Sequence, residues 1–65
     1  MTYQEAKPIA EKGFGIVMVI LDKNYRFHDF TYRKENFPDM TFCEFCQHFW
    51  DKYGDEKAVA NFYYA

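Results

Sequence analysis

The run Phe14-Gly-Ile-Val-Met-Val-Ile-Leu21 is the only uninterrupted apolar stretch of the chain. It constrains the fold more than any other feature. β-Branched Ile16, Val17, Val19 and Ile20 favour a strand, and both parities are apolar: Phe14, Ile16, Met18 and Ile20 on one side, Val17, Val19 and Leu21 on the other. A half-exposed strand alternates with polar residues, so this pattern predicts cover on both faces. The rest of the chain has to supply that cover, and there are only 65 residues to do it.

A chain of that length forms one domain, here residues 1–65, with a thin margin of stability. Bulky rings answer the shortage. Phe 8, Tyr 6 and Trp50 bring aromatics to 23%, more than so small an interior holds, and the surplus is expected at the surface as a contact patch. The formal net charge of −2 is near balance and predicts no general affinity for nucleic acid or an anionic membrane. The opening M-T-Y-Q-E-A-K is polar, and the apolar run is too short for a span, which needs about 20 residues. A cytoplasmic protein with no membrane partner is the expectation.

Thr2 and Glu5 form a T-x-x-E capping box, but Pro8 interrupts the segment it would start. The expectation for 2–12 is a short helical turn before Pro8, a helix starting beside it, or an irregular cover. Asp22-Lys23-Asn24 reads as a turn with Asn24 at positive φ. The aromatic segment 25–33 then returns as an antiparallel strand. Its rings fall on both parities, Tyr25 and Phe27 against Phe30 and Tyr32. A bulge at His28-Asp29 would bring all four to one side; otherwise the strand is covered on both faces.

Asn36-Phe37-Pro38-Asp39 is a loop. Thr41 and Glu44 repeat the capping box ahead of Phe42, Phe45, Cys46, Phe49, Trp50 and Tyr53, a stripe of helical period that stops at Gly54. Asp55 and the alanines favour a second helix from Glu56 to about Tyr64, with an edge strand as the alternative. The fold class is therefore α+β: a two-stranded antiparallel sheet (three-stranded in the alternative) packed against two helices. The predicted core sets Phe42, Phe45, Cys46, Phe49 and Tyr53 against Ile16, Met18 and Ile20.

No motif here carries chemistry with force. Cys43 and Cys46 form one C-x-x-C, a weak zinc or redox signal without a second pair. His28 is the only histidine that the hairpin can bring to them, since His48 points away from the cysteine side of the helix. Two thiols packed as small hydrophobes is the simpler account. The chain contains no Ser, and the G-x-G at Gly13 and Gly15 precedes a strand where a dinucleotide fingerprint follows one. No cofactor, metal, small-molecule substrate or enzymatic activity is inferred.

Lys23, Arg26, Arg33 and Lys34 outweigh Asp29 by +3 over 23–34. Interleaved with Tyr25 and Tyr32, they form the nucleic-acid-binding alternative. Glu35, Asp39, Glu44, Asp51, Asp55 and Glu56 against Lys52 and Lys57 give −4 over 35–57, and an acidic nucleic-acid mimic is the third reading. The leading one is a small non-catalytic interaction or regulatory protein. Its partner is a second copy or a larger protein, met through Trp50, Tyr53, Tyr63 and Tyr64, because association would cover the surplus rings.

Overall fold

A computed structural model describes residues 1–65. In chain order it contains α1 (Tyr3–Glu11), β1 (Ile16–Leu21), β2 (Phe27–Tyr32), a 3₁₀ turn at Lys34–Asn36, α2 (Phe42–Tyr53) and β3 (Val59–Tyr64). The strands form one antiparallel sheet in the order β2-β1-β3. Both helices pack on the same side of it, giving an α+β molecule of two layers.

Both capping boxes are formed. Thr41 Oγ1 accepts from the Glu44 amide at 3.1 Å while Glu44 Oε1 accepts from the Thr41 amide at 2.9 Å. Thr2 and Glu5 repeat the exchange at 3.2 and 2.9 Å. Helix α1 nevertheless departs from expectation, because it runs through Pro8 without stopping. The missing amide leaves the Gln4 carbonyl without its helical donor, on a side where Gln4 and Pro8 are both exposed and water can reach. On the opposite side Ala6 and Ala10 are fully buried. The box and that burial outweigh the proline.

The apolar stripe of α2 lies where the periodicity puts it. Phe42, Phe45 and Cys46 are buried against Ile16, Met18 and Ile20 of β1, with Phe49, Trp50 and Tyr53 packed at the margin. Phe49 stacks on Phe30 of β2 with ring centres 3.9 Å apart, and the buried Tyr32 donates its hydroxyl to the Met40 carbonyl at 2.9 Å. Gly54 closes α2 for a steric reason: a Cβ there would stand 2.6 Å from the Trp50 ring.

The C-terminal segment is a strand, not the expected helix. Asp55 does not cap one; its carboxylate accepts from the Lys57 amide at 2.8 Å and the Lys23 amide at 3.1 Å, a turn that ties the start of β3 to the β1–β2 hairpin. Pairing with β3 satisfies the second flank of β1, which a hairpin alone leaves bare. Phe62 is then buried and Ala60 half-buried on the helix side, while Val59, Asn61 and Tyr63 face out.

Two further expectations are corrected. Strand β2 has no bulge: its register with β1 is unbroken from Phe27 to Tyr32, so Phe27 and Phe30 lie on opposite faces. Asn24 does not take positive φ; Tyr25 does, at 60°. The Asp22 side chain holds the amides of Asn24 and Arg26, and Tyr25 donates its own to the Asp22 carbonyl, which forces the left-handed step one residue later.

Candidate functional site

The helices cover one face of the sheet only. The two-sided cover expected for 14–21 is absent, since nine- and twelve-residue helices supply a single layer over three strands. The pleat and the register fix what the bare face carries. Val17, Val19 and Leu21 run down its middle; Thr31, Asp29 and Phe27 flank them on β2, and Tyr63, Asn61 and Val59 on β3. One transverse row is wholly apolar (Phe27, Leu21, Val59), the next is Asp29, Val19, Asn61, and the third is Thr31, Val17, Tyr63. Phe27 is 69% exposed, Val59 and Tyr63 53% each.

The other side holds an open cleft of about 840 Å³ between α1, α2 and β3, lined by Met1, Tyr3, Met18, Cys43, Cys46 and Trp50 among others. Both cysteines are free thiols, Cys43 exposed and Cys46 buried. Burial, with a smaller contribution from Cys43, pushes the Cys46 thiol up to about 12, so it stays protonated at neutral pH. Hydrogen bonding with Cys43 and burial raise the Tyr3 phenol to about 12. His28 does not join the cysteines. Its ring stacks on Tyr53 with centres 4.7 Å apart, about two helical turns along α2 from Cys46. No three His, Cys, Asp or Glu side chains converge on one point.

His28 has a different partner. Its Nε2 lies 2.8 Å from Asp22 Oδ2. That contact, then the Arg26 amide and the Asn24 amide, hold the Asp22 carboxyl below its ordinary range. One carboxylate thus gathers the whole hairpin turn, and the His–Asp pair is occupied in closing it.

The basic-aromatic stretch is not gathered into one surface. Lys23, Arg26 and Tyr25 sit at the hairpin tip; Arg33 and Lys34 stand beyond the far end of β2, where Lys34 Nζ donates to the Glu11 carbonyl at 3.3 Å. Tyr32 is buried with its hydroxyl bound, so it offers no ring for stacking. Of the six acidic residues over 35–57, Glu44, Asp51 and Asp55 accept hydrogen bonds within the chain.

The four aromatics expected at an interface are also separated. Tyr63 is on the bare sheet face, Tyr64 points to the other side at the end of β3, Trp50 lines the cleft, and Tyr53 stacks over His28. Only Tyr63 belongs to the bare face. Its other apolar members, Val17, Val19, Leu21, Phe27 and Val59, carry no surface signal in the sequence, because the doubly apolar strand pattern implies cover. Comparison with protein-family models, with curated proteins and with solved structures finds no match to this chain. No helix in it is long and apolar enough to cross a membrane.

Proposed function

We propose that this chain is a small non-catalytic protein-interaction module, of the sort that regulates by binding, and that it docks through the bare face of its sheet. A single observation carries the reading. The outward side of the central strand is Val17, Val19 and Leu21, without one polar residue, where an antiparallel sheet open to water ordinarily alternates to polar side chains. Phe27, Val59 and Tyr63 extend that apolar surface onto both neighbouring strands. Contiguous apolar area of this kind marks a contact surface. The His28–Asp22 pair is spent on a turn and the buried thiol is protonated, which favours binding over chemistry.

The test compares the wild-type chain with a Phe27→Ser/Val59→Thr double variant as baits in lysate from the producing cells. Both positions lie outside the core, so the variant should keep the far-ultraviolet dichroism of the wild type. The expected result is that proteins retained by the wild type are lost by the double variant and kept by Gln47→Ala on the cleft side. Identical retained sets for all three would overturn the reading.

A further inference from the structure

We infer that the occupant of the bare face is a second copy of the same chain, related by a two-fold axis parallel to the strands. The inference rests on the bare face being a contact surface, as proposed above, and adds its partner and geometry.

The edges of the sheet do not invite a copy. In an antiparallel ladder alternate residues turn their amides and carbonyls to opposite flanks, so β3 presents Ala60, Phe62 and Tyr64 outward. Phe62 is already engaged: its amide donates to the Met1 carbonyl at 3.2 Å and its carbonyl accepts from the Met1 nitrogen at 2.8 Å. On the β2 edge a carboxylate, Asp29, stands at the midpoint of the strand, and a charge there opposes edge pairing. The face is what remains.

That face is its own complement in one orientation. Two aligned sheets pack face to face within about 30° of parallel. A two-fold axis along the strands lays β2 of one copy over β3 of the other and keeps each transverse row opposite itself. Phe27 then meets Val59, Leu21 meets Leu21, Thr31 meets Tyr63, and Asp29 meets Asn61, whose amide can donate to the carboxylate. Every apolar group in the first row finds an apolar one, and Asp29, the one charge within the three rows, finds a donor; the Arg33 guanidinium lies one row further along, over Gly15 and beside Ala65. The other in-plane axis, across the strands, sets Asp29 against Asp29 and Phe27 against Thr31, stacking two carboxylates in a partly dry contact. Within the three rows, the Asp29 carboxylate therefore selects the first arrangement.

Area sets the strength. Three six-residue strands cover roughly 14 by 20 Å, well short of the ~800 Å² per partner of a standard stable interface. The dimer is accordingly a weak, reversible one with a dissociation constant on the order of micromolar or above.

Sedimentation equilibrium of the intact chain across a wide concentration range tests this. The expected result is a reversible monomer–dimer equilibrium. Asn61→Asp opposes carboxylates across the axis and raises the dissociation constant by about tenfold or more; the exchanged pair Asp29→Asn/Asn61→Asp restores it. Asn61→Lys sets an ammonium against Asp29 of the other copy and tightens the dimer, whereas in the crossed orientation it would set lysine against lysine and weaken it. A chain that stays monomeric throughout, or an Asn61→Lys variant that weakens association, overturns the inference. A monomeric chain whose wild-type face still captures a different protein sinks the dimer alone and leaves the proposed function standing; a monomeric chain with no face-dependent capture sinks both.

Discussion

Asp22 does more than any other single side chain to shape the hairpin. It accepts from two backbone amides and from His28, and the carboxyl is more acidic in the folded chain than in the unfolded one. A depressed folded pKa contributes stability that is fully present above the unfolded value and is lost as pH falls through the folded one. Replacing Asp22 with Asn should therefore lower the urea midpoint most at neutral pH, and the gap from wild type should close below about pH 4. A gap that does not vary with pH between neutral and pH 2 would remove the carboxylate from the account. Glu5 and Glu44, each lowered by hydrogen bonds at its capping box, act in the same direction. The turn itself was legible from Asp22-Lys23-Asn24, but its left-handed residue was not. Nothing about Tyr25 advertises φ of 60°; the requirement comes from the amides that Asp22 collects, which is a property of the closed loop.

At the scale of elements, α2 could be read almost residue by residue, because its box, its 3.6-residue stripe and its terminal Gly54 all agree. The other two uncertain segments were decided by partners distant in sequence. Residues 56–64 carry local signals for helix in Ala58 and Ala60, with Asp55 ahead of them, yet the second flank of β1 needs backbone partners, which Val59, Asn61 and Tyr63 supply while the side chains of Ala60 and Phe62 turn to the helix side. Helix α1 survives its proline because Ala6 and Ala10 are clamped under it. Proline in a helix interior is about 3 kcal/mol worse than alanine, and part of that returns through the stiffer unfolded chain. Pro8→Ala is thus expected to raise stability by about 1–2 kcal/mol in urea titration. No gain would mean that the Gln4 carbonyl is already satisfied and that the helix bends around the ring at no cost.

For the whole molecule, the sequence showed how much apolar surface had to be hidden and where the main core would lie. It did not show that the cover would run out. Val17, Val19 and Leu21 look like interior residues in any local window, and only the count of layers leaves them facing outward. The candidate surface is therefore a residue of architecture and could not be found as a motif. The four rings expected at an interface, Trp50, Tyr53, Tyr63 and Tyr64, share a chemical type but not a surface, because the pleat and the helix distribute them over four places.

The central strand also serves as a built-in pair of gauges. The bond from the Asp22 amide to the Arg26 carbonyl and that from the Ala65 amide to the Gly15 carbonyl fix the phase of each ladder. Met18 and Ile20 accordingly point their amides at β2, while Val17, Val19 and Leu21 point theirs at β3. The first seam is closed by a short local turn and the second only after α2 has been laid down between its members, so the two have different reasons to open. Proton–deuteron exchange followed by NMR should then read as a zigzag along β1, with the odd-numbered amides trading faster than Met18 and Ile20. A smooth profile would mean that both seams part together, as one cooperative event.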